Sequence, residues 1–481
     1  MNRTRCACSA WTRPPIIAQR KGTIGAKDNI FWRNTSTPIP TECDSQILHD
    51  FLPPFTATAV THLEKGGWNV KGKTRMDEFG MGSMTANTQN GERVVNPWAG
   101  GERSAGGSSG GSAVVVAAGE VEGALGTDTG GSIRLPASYC GVVGLKPSYG
   151  MVSRHGVVSY ADSLDCVGVL ANSASDTLRI FKAVSYPDPN DPTCASARAR
   201  QRAADVEMQT RRRIRGLERG RLNGLRIGLP IETHLPPDQT PLPLGPLLKH
   251  LQALGATLVP ISIPTIPLCL PAYYVLACAE ASSTLARFGG GWYGTDSERK
   301  AREEVRRAGF GREVRKRIIA GTWALTAGAF NNSYLKALQL RHNLRKDYQA
   351  VFRAPHPLTS DLETPDERGV DVILHPTAIQ TAPLLPSADN NPSQPPSTRT
   401  TDTAEYAQDI LTVPASLAGL PSVSVPYGVS ETDGWPIGVS LTGQWGMERL
   451  VLDVARVGVE THYEAGQAAH RHVRDGEAGL E

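Results

Sequence analysis

The alternation of apolar and polar positions predicts short strands and helices along most of the chain. Segments with helical spacing and capping residues predict helices at 56–66, 112–118, 172–184, 247–254 and 272–286, and a long helical region at 311–352. Short apolar runs predict strands at 68–73, 225–229, 257–263, 422–426 and 437–441. Strands that alternate with helices, without any internal repeat, favour an α/β fold.

Two polar stretches interrupt this pattern. Residues 187–224 are polar, basic and broken by proline, so they are predicted to form a surface excursion. Residues 387–403 are rich in Pro, Ser and Asn and are predicted to form a loop. Length alone would allow two or three domains, but a family resemblance carried by the motifs described below implies one large domain over residues 22–465, followed by a polar C-terminal tail at 466–481.

Composition narrows the class of protein. The chain has 481 residues, 40% hydrophobic and 20% charged, and a net charge of +3, which is too mild to argue for nucleic-acid binding. No run approaches the roughly 18 apolar residues of a membrane-spanning helix, so no membrane partner is expected. The eight cysteines include no Cys-x-x-Cys pair; no metal site is predicted, and reduced thiols are expected.

The first 21 residues are basic, and no acidic residue precedes Asp28. This bias is typical of an organellar transit peptide, which would give a mitochondrial matrix location. The alternative is a disordered basic tail and a cytoplasmic protein.

Two glycine-rich serine clusters carry the candidate chemistry. Gly106–Ser112 contains paired serines, and Gly126–Arg134 contains Ser132, which lies 24 positions after Ser108. Gly130 and Gly131 lack side chains, so the N–H groups of Thr129, Gly130 and Gly131 are candidates for an oxyanion hole beside Ser132. The pattern predicts a hydrolytic site with a serine nucleophile.

Three other patterns have competing interpretations. Gly67–Thr74 fits a phosphate-binding loop, but the positions of that loop look like a strand after a helix rather than a loop after a strand. Gly106–Gly110 fits the nucleophile elbow of α/β-hydrolases, although no strand is predicted before it. The basic run Arg211–Arg215 is either a solvated helix face or a contact for tRNA or a partner subunit.

Together with Cys140–Pro147, the two serine clusters resemble the amidase signature family, whose members cleave amides with a serine, a second serine in a cis peptide and a lysine. The resemblance implies a central mixed β-sheet surrounded by helices. It implies Ser132 as nucleophile, Ser108 as the cis serine that relays a proton, and Lys27, in Lys-Asp-Asn, as base. Lys73 matches a different, non-catalytic block.

Further blocks, Lys73–Ser83, Tyr273–Ser283 and Asp409–Pro421, resemble the A subunits of glutamyl-tRNA(Gln) amidotransferases within that family. The resemblance implies that Tyr273, Arg317 and Asp409 hold free glutamine. It also implies that this chain only liberates ammonia, without a cofactor of its own. ATP and Mg would be used by a B-type partner, assisted by a small C-type or equivalent subunit, to amidate Glu-tRNA(Gln). The rival expectations are a stand-alone amidase for fatty, aryl or small aliphatic amides, and an inactive scaffold subunit.

Overall fold

The computed structural model describes residues 10, 22–34, 36–89, 93–98, 102–234, 243–289, 301–359, 366–385 and 402–464. Apart from Ala10, the predicted transit segment lies outside the described residues, as does the predicted C-terminal tail. Most of the predicted loop at 387–403 also lies outside them, since the description resumes at Asp402.

One ten-stranded mixed sheet forms the centre of the molecule. The strands are β1 Thr23–Lys27, β2 Asn69–Thr74, β3 Gly123–Asp128, β4 Val143–Lys146, β5 Cys166–Ala171, β6 Arg226–Pro230, β7 Thr257–Ile261, β8 Val372–Pro376, β9 Ser422–Val429 and β10 Pro436–Gly443. Their order is β2-β1-β3-β5-β4-β9-β10-β8-β6-β7. The strands β2, β1 and β3 run parallel, as do β8, β6 and β7, while the middle pairs are antiparallel. The expected mixed sheet is confirmed.

Helices surround this sheet in a single domain. They are α1 Thr58–Lys65, α2 Gly110–Ala117, α3 Arg134–Cys140, α4 Ala174–Val184, α5 Ala197–Arg213, α6 Gly245–Ala253, α7 Cys269–Thr284, α8 Arg302–Gly309, α9 Arg312–Ala324, α10 Ala327–Phe330, α11 Tyr334–Val351, α12 Asp402–Ala407, α13 Val413–Ala418 and α14 Glu448–Val454. The strands β3, β4 and β5 are buried along their whole length, and helices α2, α3 and α4 pack against them.

Most predicted elements lie within a few residues of the observed ones. The surface excursion at 187–224 is wrong in part, because it contains the 17-residue helix α5. Ser196 caps that helix by accepting from the N–H of Ala199, and a narrow buried stripe of Ala203, Val206 and Thr210 attaches it. Because arginines surround this narrow apolar stripe, the sequence shows no clear helical periodicity of hydrophobic residues.

The predicted long helical region at 311–352 is divided into α9, α10 and α11. Helix α7 packs against both α9 and α11. Among the described residues, Ile266–Arg287, which includes α7, is long and apolar enough by length and composition to cross a membrane, and 56% of its apolar window is buried inside the fold. Core helices pass the same test, so this segment is accounted for by its packing.

The sheet also decides whether Gly67–Thr74 can be a phosphate-binding loop. Gly67–Thr74 forms a turn and strand β2, and helix α1 precedes it. A phosphate loop needs the opposite order of strand and helix, so this segment does not have the architecture of one.

Candidate active site

The parallel strands β1, β2 and β3 end at the same edge of the sheet, and this edge holds the candidate site. Lys27 is the last residue of β1, and its side chain is fully buried. Its Nζ lies 2.7 Å from Ser108 Oγ, 2.9 Å from Ser109 Oγ and 2.8 Å from Thr127 Oγ1. Two of the three predicted catalytic residues, Lys27 and Ser108, are therefore in direct contact.

The neighbours of Lys27 determine which atoms accept hydrogen bonds from its amine. Ser109 donates to the carbonyl of Thr127 (3.0 Å), so its oxygen accepts from the lysine. The Thr127 hydroxyl accepts from the Asn29 amide at 3.1 Å and from Lys27. In the structure Lys27 Nζ also donates to Ser108 Oγ. Once the amine is neutral it has two hydrogens and one lone pair, and the lone pair can then accept the hydroxyl hydrogen of Ser108.

Burial lowers the pKa of Lys27 to about 7, while the nearby carboxylates Asp77, Asp165 and Asp128 oppose this shift. Among the described residues no carboxylate oxygen forms an ion pair with Lys27, so desolvation dominates. A substantial fraction of the amine is neutral near pH 7. That is the protonation state that a general base requires.

The loop that carries Ser108 is held by a threonine. Gly106 and Gly107 have positive φ angles of 81° and 51°, which favour glycine. Thr85, from an earlier part of the chain, holds this loop. Its hydroxyl is 2.5 Å from the Gly107 carbonyl and accepts from the N–H of Gly110 at 2.9 Å. Asp77 fixes Thr85 in turn by accepting from its N–H at 3.0 Å.

The expected cis peptide at Gly107–Ser108 is not found. The described residues contain no cis bond, so this bond is trans, and the two positive φ angles turn the chain instead. Gly107 lies so close to Ser132 that an added Cβ would be 2.9 Å from the Ser132 Cα. The loops touch, but the two serine side chains form no hydrogen bond with each other in this arrangement, so the expected relay contact is also absent here.

Ser132 follows a tight loop that begins at the end of β3. Arg134 holds that loop by donating from Nε and Nη2 to Asp128, at 3.0 and 2.8 Å, and the N–H of Ile133 also donates to Asp128. The backbone N–H groups of Thr129, Gly130, Gly131 and Ser132 donate to no atom of the described residues. They are therefore available to a substrate oxygen.

Steric contacts explain why this loop contains two glycines. A Cβ on Gly130 would lie 2.5 Å from the hydroxyl oxygen of Tyr273, and one on Gly131 would lie 2.7 Å from the Cβ of Thr412. Tyr273, a residue predicted to bind glutamine, thus packs directly on the predicted oxyanion loop. Ser132 itself is 9% exposed, whereas Lys27 is 0% and Ser108 is 1% exposed; of the three, the predicted nucleophile is the most accessible.

Arg317 and Asp409 lie on the same side of the molecule as Tyr273. The Nε of Arg317 donates to Glu313 (2.7 Å) and its Nη1 donates to the Tyr160 hydroxyl (2.8 Å). Its Nη2 is buried and has no hydrogen-bond partner. A buried donor without a partner is rare in proteins, and a bound carboxylate would satisfy it.

Asp409 accepts hydrogen bonds from Ser83 Oγ (2.7 Å) and from the hydroxyl of Tyr274 (2.9 Å), both on the same carboxylate oxygen. Burial raises the pKa of Asp409 to about 6. Tyr274, which was not among the predicted site residues, therefore contacts this carboxylate. The sequence reasoning missed Tyr274 and Ser83, although both lie within motif blocks that it singled out.

Lys73 lies in a separate buried pocket. Its Nζ donates to the Ile30 carbonyl at 2.5 Å and to Thr41 Oγ1 at 3.1 Å, and it is 3.4 Å from the Asp28 carboxylate. Burial lowers the pKa of Lys73, and Asp28 opposes that shift. This lysine links β2 to the chain segment after β1.

The fold and this edge of the sheet fit the class of α/β hydrolytic enzymes that pair serine hydroxyls with a lysine of lowered pKa. The chain belongs to the amidase family, whose sequence model matches residues 23–452.

Individual relatives are more specific. The chain is 46% identical over 474 residues to the A subunit of the mitochondrial glutamyl-tRNA(Gln) amidotransferase of Mycosarcoma maydis, covering 93% of this chain and 86% of the relative. It is 41% identical over 464 residues to the protein of the same name from Emericella nidulans, covering 90% and 88%. The crystal structure of the A subunit of the Thermotoga maritima glutamyl-tRNA(Gln) amidotransferase superposes with a TM-score of 0.70 at 31% identity, covering 95% of this chain and 89% of that one.

Proposed function

We propose that this chain is the glutamine-hydrolysing subunit of a mitochondrial glutamyl-tRNA(Gln) amidotransferase. The observation that carries the proposal is the combination of relatives with that name and a buried, unpartnered guanidinium nitrogen on Arg317. The names of the relatives also supply the mitochondrial location and membership of a complex of several subunits.

The charges of Arg317 and Asp409 suit a free amino acid. Arg317 Nη2 would bind the α-carboxylate of glutamine, and Asp409 would bind its α-ammonium group. Tyr273 would line the path between them and the oxyanion loop. A fatty, aryl or small aliphatic amide carries neither charge, so it would leave the buried Nη2 of Arg317 without a hydrogen-bond partner, which is costly. The stand-alone amidase is therefore the weaker alternative.

The proposed reaction starts from neutral Lys27. Ser108 gives its hydroxyl proton to Lys27 and takes the proton of Ser132 as the Ser132 oxygen attacks the side-chain amide carbon. The N–H groups of Thr129, Gly130 and Gly131 stabilise the resulting oxyanion. The proton then returns through Ser108 to the leaving nitrogen, the C–N bond breaks, and ammonia departs. Water hydrolyses the γ-glutamyl ester on Ser132 by the same route, releasing glutamate.

This route requires Ser108 to contact Ser132 as well as Lys27. In the structure Ser108 contacts only the lysine, and the loops of the two serines touch. A small rotation or shift on substrate binding would complete the relay, because catalytic hydrogen bonds commonly tighten only with substrate bound.

We further propose that the ammonia passes to a B-type subunit that activates Glu-tRNA(Gln) with ATP and Mg, with a small C-type or equivalent subunit completing the assembly. This chain then needs no cofactor of its own, and it would meet the tRNA only through the complex. Isolated, it should hydrolyse glutamine poorly and should not amidate Glu-tRNA(Gln).

The test is Ser132→Ala in the assembled complex. Glutamine-fed amidation should fall roughly a thousandfold or more, because the acyl-enzyme cannot form. Ammonia-fed amidation should continue at the wild-type rate, because added ammonia bypasses that step. Rates are measured as Gln-tRNA formed from each nitrogen source.

A matched control is Ser112→Ala in the same glycine-rich segment. Ser112 bonds Thr74 and the Leu125 carbonyl rather than Lys27, so glutamine-fed turnover per folded enzyme should persist. If Ser132→Ala stopped both reactions equally, ammonia production could not be the whole role of this chain.

A further inference from the structure

The antiparallel strands β3 and β5 bring a threonine of the predicted oxyanion loop opposite a buried carboxylate. Asp128, at the end of β3, pairs with Cys166, at the start of β5. The next positions in this register, Thr129 and Asp165, therefore face each other just beyond the paired strands. The hydroxyl of Thr129 donates to Asp165 Oδ1 at 2.6 Å, and both residues are buried. The first residue of the predicted oxyanion loop is thus tied by its side chain to the neighbouring strand.

The second oxygen of Asp165 holds a turn that precedes β5. Asp165 Oδ2 accepts from the N–H groups of Tyr160 and Ala161, at 2.8 and 3.0 Å, and from the Ser159 hydroxyl at 3.0 Å. A carboxylate that accepts several hydrogen bonds fixes the donors relative to one another. Asp165 therefore joins the Thr129 loop to the segment that carries Tyr160.

Tyr160 in turn orients Arg317. The hydroxyl of Tyr160 accepts from Arg317 Nη1 at 2.8 Å, and Arg317 Nε donates to Glu313 at 2.7 Å. Two contacts on different nitrogens fix the plane of the guanidinium, and its Nη2 remains buried without a hydrogen-bond partner among the described residues. A continuous series of hydrogen-bonded residues therefore runs from Thr129 through Asp165 and Tyr160 to the proposed carboxylate ligand.

The charge of Asp165 is compensated mainly by directed hydrogen bonds. Burial raises the pKa of Asp165, and the hydrogen bond from Thr129 and the charge of Arg154 are the largest influences that oppose this shift. The two hydroxyls and two N–H groups that donate to Asp165 are all neutral. Because hydrogen bonds are directional, these contacts fix the orientation of the carboxylate as well as its charge.

We propose that Asp165 is a positioning residue for the reaction, which holds the oxyanion loop through Thr129 and the carboxylate ligand Arg317 through Tyr160. The oxyanion N–H groups and the guanidinium would bind two ends of one small substrate, so the rate depends on their separation. Asp165 acts on the substrate only through these two residues. The Arg317 half rests on the proposed function, whereas the Thr129 half requires only that this loop stabilises an oxyanion.

The first arm of the experiment separates Thr129 from Asp165 without removing an N–H group. Thr129→Val, in the full chain assembled with its partner subunits, should lower kcat roughly 10- to 100-fold with glutamine and with propionamide, while KM changes little. Thr129→Ser keeps the hydroxyl and should restore kcat to within about threefold of the wild type. Rates are compared at about pH 8, where Lys27 is neutral, because Asp165 also influences the pKa of Lys27.

The matched control is Thr265→Val, the same substitution at a buried threonine that donates to another carboxylate. Thr265 donates to Asp347 at 2.5 Å, and none of its hydrogen bonds within the described part of the chain reaches a predicted site residue. Thr265→Val and Thr129→Val should lower the thermal midpoint by comparable amounts, since each leaves a carboxylate oxygen with one donor fewer. Only Thr129→Val should lower kcat per folded enzyme by more than about twofold.

The second arm tests the connection to Arg317. Tyr160→Phe should raise KM for glutamine roughly 5- to 20-fold with a smaller change in kcat, and should leave KM for propionamide unchanged. Asp165→Asn has one accepting oxygen instead of two, so it should lower kcat with both amides and raise KM for glutamine alone.

Wild-type kcat in Thr129→Val with both amides would overturn the proposal, because the loop would then keep its geometry without Asp165. An unchanged KM for glutamine in Tyr160→Phe, beside a raised KM in Arg317→Ala, would overturn the Arg317 half. If Arg317→Ala also left KM unchanged, the glutamine site of the proposed function would fail instead. The propionamide rates of Thr129→Val and Thr129→Ser would still decide whether Asp165 positions the oxyanion loop.

Discussion

Lys27 and Lys73 are two buried lysines on neighbouring strands with different surroundings. Both side chains are at most 1% exposed, and burial lowers the pKa of each. The amine of Lys27 contacts hydroxyls and one carbonyl, whereas that of Lys73 lies 3.4 Å from the Asp28 carboxylate.

The difference separates a candidate base from a lysine whose buried partner is a carboxylate. A carboxylate partner favours the charged amine, while hydroxyl partners accept hydrogens from it without supplying a full charge. Burial also raises the pKa of Asp28 to about 7. Desolvation therefore disfavours the charged form of Asp28 as well as that of Lys73. Lys27 has only distant carboxylates to oppose its desolvation, and its pKa falls into the range useful for catalysis.

The test with the largest expected effect compares two single variants, Lys27→Ala and Lys73→Met. Loss of the proposed base should lower kcat for glutamine roughly 1,000-fold or more. Lys73→Met should leave kcat per folded enzyme within a few fold but lower the free energy of unfolding by about 3 kcal/mol, since it breaks a buried pair. Steady-state kinetics and urea denaturation of both variants would measure this, and a dead but stable Lys73→Met enzyme would reverse the assignment.

Arg317 is a third buried cation, and it should act in binding rather than in proton transfer. A charge-assisted carboxylate contact contributes about 1.5–3 kcal/mol. Arg317→Ala should therefore raise KM for glutamine roughly 10- to 150-fold with a smaller change in kcat, because the contact exists in ground and transition states alike.

A small aliphatic amide serves as the control substrate, since it lacks the carboxylate and should be almost indifferent to Arg317→Ala. Equal losses with both substrates would remove the glutamine pocket and favour the general amidase.

The pH dependence of kcat/KM distinguishes the two titrating groups of the site. The pKa of Lys27 is about 7 and the base must be neutral, so activity should fall roughly tenfold per pH unit below that value. Below the pKa of Asp409, about 6, protonation removes the ammonium contact, and the fall with glutamine should steepen to roughly a hundredfold per unit.

A small aliphatic amide should keep the shallower slope throughout, because it does not use Asp409. Initial rates between about pH 5 and about pH 8 would measure both slopes. A flat profile across neutrality would show that no group with the pKa of Lys27 controls the reaction.

The smallest effect is expected at Thr85, which touches neither lysine. Its hydroxyl fastens the Gly106–Gly110 loop, so Thr85→Val should loosen Ser108 and lower kcat roughly tenfold while KM changes little. Thr85→Ser retains the hydroxyl and should restore most of the rate. If Thr85→Val reduced only the amount of folded protein, the threonine would be structural and not a positioning residue.

Several features of the molecule could be predicted from the sequence. Strand and helix patterns gave the α/β class, because hydrophobic spacing follows directly from local geometry. The glycine-flanked serine blocks and the Lys-Asp-Asn block pointed to Ser132, Ser108 and Lys27. They could do so because the blocks match short family motifs in which nearly every residue is specified. The mitochondrial and amidotransferase predictions agree with the relatives.

Other features depended on contacts between residues far apart in the chain. Tyr274 reaches Asp409 across 135 positions, and Asp77 influences Lys27 only through the fold. The bond before Ser108 is trans, the ordinary isomer of a non-proline peptide bond, and only the fold brings Gly107 against the Ser132 loop. Helix α5 was missed because its buried stripe is narrow and the segment that it contacts, from Gly446 to Asp453, is distant in sequence.

The sequence by itself determined the family, five of the ten strands of the sheet and the residue types of the site, because those are written in local spacing and short motifs. Only the tertiary structure decided which buried lysine meets hydroxyls and which meets a carboxylate. The physical reason is that a pKa depends on desolvation and on the charges within a few ångströms, and those neighbours come from strands and loops that the fold alone brings together.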